Sequence, residues 1–387
     1  MALPIKYNVR NVFVRWRSTV ATILGVALVV GVYVLMQAMA AGIEKSSANT
    51  GSPDNLLVVR RGSTAESSSI ISRDQVSTLR YSPEIARNAA GEPLLSADVL
   101  VLLNQPRRDG AGEANVLLRG ISPAGREMRA QVQLVEGRWF DRGKREVVVS
   151  RRLAARFAGF EIQGEFRSGP ATFRVVGHVD AGQSAFDSEI WMDADEARAL
   201  FDREQYSSLL VRPVDVNAAT NLIRRLESDK RLQLIARVES AYYAEQTGTA
   251  TPIKWLGNFL AVAMSIGAVF AAMNTMYAAV GARTREIGTL RVLGFRRRTV
   301  VLSFLIEGAL LAALGGALGC GLSLFMNGYA VGTLNFATFS ETVFQFRITP
   351  ALMLKGMVFS VAVGVLGTLL PAIRASRLPV ISALKAV

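Results

Sequence analysis

Four long stretches of this chain carry almost no charge, and the polar residues crowd unevenly between them. Residues 18–43 hold no Asp, Glu, Lys or Arg, nor do 255–282 or 356–373, and residues 299–327 hold only Glu307. About 20 apolar residues in helical form cross the roughly 30 Å of bilayer hydrocarbon. Each run is long enough or nearly so, and the pattern predicts four spans at 19–41, 255–281, 300–327 and 353–373. A single run of this kind could be a buried core helix of a soluble protein, but four in one chain argue for a membrane. The first run follows basic residues and ends near Ala38, Met39 and Ala40, the outline of a secretory signal peptide. Its apolar core is well beyond the roughly 7–15 residues of a signal h-region. It is therefore read as an uncleaved signal anchor.

The segment between the first two spans, 42–254, has a different texture. Short alternating or β-branched runs at 55–59, 98–103, 115–118, 146–149, 172–176 and 208–211 are bounded by Gly, Pro, Asp and Asn, as strands of a mixed sheet are. Helical patches interrupt them at 73–79, 151–157, 194–201 and 216–228, and the Ser-rich 62–69 reads as a loop. The expectation is a membrane protein of four transmembrane α-helices, with a large α+β extracytoplasmic domain inserted between helices 1 and 2, in one lobe or two. Residues 328–352 are expected to be a short outer loop.

Composition narrows the chemistry. Half of the 387 residues are hydrophobic, which excludes a disordered chain. One cysteine, Cys320, excludes a disulfide framework, and one histidine, His178, argues against His-based metal centres and Ser-His-Asp catalysis. His178 is expected to be a surface or hydrogen-bonded residue. The acidic group Asp187, Glu189, Asp193, Asp195 and Glu196 is expected to be a solvated helix start. The 387 residues contain no G-x-x-x-x-G-K-[ST], no G-x-S-x-G and no H-E-x-x-H, so no metal site, no catalytic residue and no phosphate cradle is expected.

The formal charge of +13 first suggests nucleic acid. Its distribution says otherwise. Residues 1–18 hold Lys6, Arg10, Arg15 and Arg17 with no acid; the loop 282–299 holds six arginines against Glu286; the tail 374–387 holds Arg374, Arg377 and Lys385. These pieces fall on one side of a four-span topology, which the positive-inside rule makes the cytoplasm, with both termini there. Residues 44–253 hold 28 basic and 28 acidic residues and are neutral. The charge records topology, and no nucleic-acid partner is implied.

Ordered features lie within the basic pieces. Ile5, Val9, Val12, Phe13 and Trp16 share one helix face, with Lys6, Arg10, Arg15 and Arg17 largely off it, so 1–18 reads as an amphipathic helix at the inner lipid interface. In 282–299, Ile287, Leu290 and Leu293 repeat every three residues, Arg283 is spaced to pair with Glu286, and Gly294 supplies a stop. This is a short helix with an apolar edge able to dock on a soluble partner. Glu307 lies about two turns into the third span, where a charge is costly and often functional; it either snorkels or pairs with an arginine of the loop. Small residues at helix-face spacing (Gly308, Ala312, Gly316; Gly315, Gly319; Gly356, Ser360, Gly364) permit close helix packing, within one subunit or between two.

Residues 274–319 resemble the C-terminal module of the MacB/FtsX-type ABC transporter permeases. The R-x-x-E-I-G-x-L-R-x-x-G core stands at Arg283, Glu286, Ile287, Gly288, Leu290, Arg291 and Gly294, followed by a Glu-containing span at Glu307. The end of the chain resembles the family's closing pattern at Pro371, Ala375 and Pro379, with Ala383 and Leu384 one residue late. The outer domain, at 135–157 and 173–182, only echoes it. The resemblance implies a dimer of permeases in the bacterial inner membrane. It implies a separate ABC ATPase subunit that holds ATP and Mg, and mechanotransmission from that ATPase through the 283–294 helix to the outer domain. A periplasmic adaptor is a further implied partner. An exporter or extruder is the favoured role; a lipoprotein-releasing subunit and an FtsX-like non-transporting regulator of cell-wall hydrolases share the topology.

Overall fold

The computed structural model describes residues 16–110, 112–169, 171–245, 250–335 and 338–377. The amphipathic helix expected at 1–18 and the closing Pro379, Ala383, Leu384 and Lys385 lie outside the described residues, apart from the start of the first helix. In chain order the elements are α1 (Trp16–Ala48), β1 (Leu56–Arg60), α2 (Arg73–Arg80), β2 (Leu95–Pro106), β3 (Glu113–Ile121), α3 (Pro123–Met128), β4 (Gln133–Gly137) and β5 (Glu146–Ser150). Next come α4 (Arg151–Ala154), β6 (Glu165–Ser168), β7 (Ala171–Asp180), β8 (Glu189–Asp193), α5 (Ala194–Leu200), β9 (Ser208–Val211), α6 (Val216–Ser228), β10 (Leu234–Val238) and α7 (Glu239–Glu245). The remainder is α8 (Ala250–Ala282), α9 (Thr284–Val292), α10 (Arg297–Leu324), β11 (Ala330–Asn335), β12 (Ser340–Gln345) and α11 (Pro350–Ser376). The described chain divides into a helical unit, built from residues up to Ala41, Thr251–Tyr329 and those from Phe346 onward, and an α/β unit of Gly42–Ala250 with Ala330–Gln345.

In the helical unit, α1, α8, α10 and α11 are each long and apolar enough to cross a membrane. At 1.5 Å per residue the 27 residues of α11 reach about 40 Å, beyond the hydrocarbon thickness. The small residues sit where these helices touch. A Cβ on Gly316 of α10 would stand 2.6 Å from the Ser360 hydroxyl of α11, and one on Gly364 would meet Ala312 and lie 2.8 Å from the Gly308 carbonyl. On its other face α10 turns Gly315 to α1, where a Cβ would stand 2.8 Å from the Ile23 carbonyl. Ser360 donates its hydroxyl to the Ala312 carbonyl across the α10–α11 contact. The small-residue stripes therefore serve packing within one chain.

Ten strands of the α/β unit form one hydrogen-bonded order, β10-β1-β9-β2-β3-β8-β5-β7-β4 with β6 on β7; β2 pairs with β9 through residues 95–98 and with β3 through 99–106. β3 pairs with β8 and β5 with β7 in parallel, and the other pairings are antiparallel. Around β10, β1 and β9 the core is Leu56, Val58, Leu209, Val211 and Leu234 under α2 and α6. Farther along, Val116, Leu118, Val147, Phe157, Phe166 and Phe173 fill one face, and Trp191, Val148, Val176 and Phe186 belong to another cluster. The expected short outer loop at 328–352 instead contains the β11–β12 hairpin, whose Val343 is buried in the first of those two faces.

The acidic group at 187–196 divides in two. Asp195 and Glu196 lie in the first turn of α5, capped by the Asp193 carboxylate, which accepts from the Glu196 N–H at 3.1 Å. Asp187, Glu189 and Asp193 are buried, which corrects the solvated reading for these three. Glu189 begins β8, and all five residues of that strand are buried. His178 is hydrogen-bonded: its Nε2 is 2.9 Å from the Phe160 carbonyl oxygen.

Candidate functional site

The break between α8 and α9 is a single residue, Arg283, which leaves the helical region at φ −110°, ψ 11°. Helix geometry resumes at once, with the Ile287 N–H bonded to the Arg283 carbonyl at 2.9 Å. α9 is then closed by glycine chemistry. Gly294 stands at φ +92°, a region costly for any residue with a Cβ. Its N–H donates to the Arg291 carbonyl at 3.2 Å, and the Phe295 N–H to the Leu290 carbonyl at 3.2 Å. These are the paired bonds of a Schellman stop. The helix is therefore bounded at both ends, and its faces are set by the turn between them.

Arg283, spaced in sequence for Glu286, is directed to Glu307 of α10. Its Nη1 donates to Oε2 at 3.0 Å and its Nη2 approaches Oε1 at 3.4 Å. Arg283 is 7% and Glu307 6% exposed, so the pair is buried among apolar groups. The carboxylate also borders a cavity lined by Thr22, Thr275, Gly308, Leu311 and Thr368. A buried ion pair is held by geometry that neither partner has alone, because removal of one leaves the other charged and desolvated. Here it fastens the start of α9 to a point nearly three turns along α10.

The seven residues of the R-x-x-E-I-G-x-L-R-x-x-G core do not share one surface. Arg283, Ile287 and Gly288 are buried. Ile287 packs with Met276, Val280, Val300, Phe304, Ala372 and Ala375, so the apolar edge read from the sequence is used inward at this residue. Leu290 and Arg291 are half-buried, whereas Glu286 and Gly294 are exposed. The outward apolar surface is instead Val292 and Leu293, at 59% and 67% exposure, flanked by Arg285, Glu286 and Arg296–298.

A second charged cluster, in the α/β unit, had no signal in the local sequence. Arg119 of β3 donates Nε and Nη2 to Glu189 at 2.7 and 2.8 Å and Nη1 to Glu66 at 2.9 Å. Arg129 bridges Asp98 at 2.8 Å and Glu239 at 3.1 Å. All six are buried. Burial pushes the Glu66 carboxyl upward, but the Arg119 charge and hydrogen bonds from Arg119, Tyr243 and Ser208 outweigh it and hold its pKa at about 2. Burial works against the charge of Arg119 too, and the Glu189 and Glu66 carboxylates reverse this, raising its pKa well above the ordinary value. The cluster ties the segment before α2 to β2, β3, β8 and α7. Among the described residues no group of His, Cys, Asp and Glu is arranged to hold a metal ion.

Two family models match the chain: the MacB-like periplasmic core domain over residues 18–228 and the FtsX-like permease C-terminal domain over residues 258–380. The macrolide export ATP-binding/permease protein MacB of Bdellovibrio bacteriovorus is 24% identical over 407 residues, covering 95% of this chain and 58% of that protein. An uncharacterized ABC transporter permease, YvrN, of Bacillus subtilis is 35% identical over 113 residues, 29% of this chain and 26% of the relative. The chain thus spans well under two thirds of the length of these relatives. Among solved structures, the periplasmic region of MacB from Actinobacillus actinomycetemcomitans matches with a TM-score of 0.38 at 14% identity, over 50% of this chain and 92% of that one.

Proposed function

Because the chain belongs to the family of ABC-transporter permeases that join a MacB-like periplasmic core domain to an FtsX-like permease C-terminal domain, we propose that it is the mechanical subunit of an exporter whose ATP is hydrolysed by a partner. In this reading α9 is the contact for an ABC ATPase on the cytoplasmic side, and both termini are cytoplasmic. ATP-driven movement of that partner displaces α9, the buried Arg283–Glu307 pair carries the displacement into α10, and the outer α/β unit responds. The substrate is taken from the periplasm or the outer leaflet, and the working assembly holds two copies of this chain with a periplasmic adaptor. ATP and Mg belong to the ATPase, which would contribute the phosphate cradle that these 387 residues do not contain.

The observation that carries the reading is the division of α9 into a face anchored by Arg283 and Ile287 and an exposed Val292–Leu293 surface set among charges. A partner pushing on the exposed face moves the anchored one, because the stop at Gly294 and the ion pair hold the helix as a unit. Glu286→Arg and Leu293→Asp alter the exposed face, whereas Gly288→Trp would act through packing, since Gly288 is buried. The test is co-purification of the partner ATPase with membrane-inserted variants. A loss of tenfold or more with Glu286→Arg and Leu293→Asp is expected. Undiminished ATPase on both variants would sink the assignment.

A further inference from the structure

The β11–β12 hairpin follows α10 in the chain, yet it is built into the α/β unit by a clamp of opposite charges. Glu341 of β12 is buried, and its two carboxylate oxygens engage two arginines, Oε2 with Arg107 and Oε1 with Arg156. Those arginines come from the turn after β2 and the turn after α4, and they are kept adjacent by the Arg108 N–H donating to the Arg156 carbonyl at 2.8 Å. Gly332 pairs with Val343 across the hairpin, and a Cβ on it would run into the Glu341 carboxylate and stand 2.6 Å from Nη2 of Arg156. The absence of a side chain at 332 is what leaves room for the clamp. Val343 is buried with Val116, Leu118 and Phe157, and its N–H donates to the Ser188 hydroxyl at 2.7 Å. Asn115 of β3 donates its Nδ2 to the Phe339 carbonyl at 3.2 Å.

The legs of the hairpin stay cross-linked beyond the strands. The Gly328 N–H donates to the Phe346 carbonyl at 2.9 Å, and the Phe346 N–H to the Tyr329 carbonyl at 3.1 Å. The Asn327 Oδ1 accepts from the Ile348 N–H at 2.9 Å, one residue before the Thr349 cap of α11. At the other flank, Gly42 of α1 approaches Gln345 so closely that a Cβ would collide with the Gln345 carbonyl. The end of α10 and the start of α11 therefore lead into a piece of structure fixed in the α/β unit.

We infer that the β11–β12 hairpin is a strut, clamped by Glu341, through which α10 and α11 drive the outer α/β unit. This rests on the coupling role assigned to α9, since the strut completes the route from α9 through α10. Glu341 is then a positioning residue, which determines whether movement of the helices reaches the sheet.

Hydrogen exchange on the full-length chain in lipid nanodiscs tests the strut in two arms. Without nucleotide, residues 330–345 should exchange as slowly as β3 and β8, and Glu341→Gln should speed them at least tenfold. With the ABC ATPase bound, ATP plus vanadate should change exchange in β3 and β8, Glu341→Gln should reduce that response by half or more at unchanged ATPase binding, and a disulfide between Asn115→Cys and Phe339→Cys should restore it. A wild-type hairpin that exchanges like an open loop, or a Glu341→Gln chain with the full nucleotide response, overturns the strut. A wild-type chain that fails to retain the ATPase counts against the coupling reading alone, and the nucleotide-free arm then decides the strut.

Discussion

Replacement of Glu307 by Ala leaves the Arg283 guanidinium buried beside apolar side chains. At their 3.0 Å separation, two unit charges attract by about 5 kcal/mol at an effective dielectric near 20. Taking both charges out of water offsets most of this, so the intact pair is worth little against well-packed apolar residues of similar volume. Loss of one partner is another matter and costs about 3–5 kcal/mol, because the remaining charge stays buried. Glu307→Ala, Glu307→Leu and Arg283→Met should therefore each destabilise the protein by about 3 kcal/mol, while the double variant Arg283→Met/Glu307→Leu should lie within about 1 kcal/mol of wild type. Thermal and denaturant unfolding of wild type, Arg283→Met, Glu307→Leu and their double variant in one detergent gives the coupling energy, expected to exceed about 2 kcal/mol. Additive single effects in the double variant would refute the argument. So would a silent Glu307→Ala, which would mean that water in the cavity beside Glu307 hydrates the stranded guanidinium.

Three other outcomes follow from the same structure. Glu66, held at about 2 against an ordinary 4.5, has a depressed folded-state pKa, so its contribution is complete above pH 4.5 and is lost as pH falls from there toward 2. This is worth on the order of 3 kcal/mol, and Glu66→Gln should flatten the acid limb of a urea-midpoint titration as pH falls from 4.5 toward 2. Gly364→Ala places a methyl against Ala312 and should cost about 1–3 kcal/mol by overpacking, whereas Gly321→Ala, with nothing within 4 Å, should be neutral or stabilise by up to about 1 kcal/mol; melting temperatures of the two variants should move in opposite directions or differ clearly. Gly294→Ala forces a Cβ into φ +92°, at a cost of about 1–2 kcal/mol, and should weaken ATPase retention without removing the protein from the membrane.

Much of the candidate site was legible because its signals are local. The period of Ile287, Leu290 and Leu293 and the glycine at 294 describe a helix and its stop within a dozen residues, and the bonds from Gly294 and Phe295 close it where the glycine stands. The direction of each face was not legible. Arg283 finds Glu307, 24 residues away, and not simply the acid one turn along. Ile287 turns inward because α11 brings Ala372 and Ala375 to it, and the exposed apolar surface passes to Val292 and Leu293. Similarly, Glu189 reads as a surface acid until Arg119, 70 residues away in the chain, is placed against it. The hairpin at 330–345 was missed for the same reason: Glu341 has its partners 185 and 234 residues away.

By itself the sequence determined the four apolar helices, their separation by a neutral α+β insert, and the concentration of charge into short pieces beside the spans. Those properties depend on hydropathy and charge summed along contiguous residues, and transfer from water to lipid acts on such sums whatever the final packing. Tertiary structure alone decided which small residues pack against which helix, which acids are buried, and that the α/β unit takes in a hairpin from beyond α10. The reason is that desolvation of a charged group is tolerable only where an opposite charge has been brought to it. The partner's arrival is a property of the folded chain as a whole.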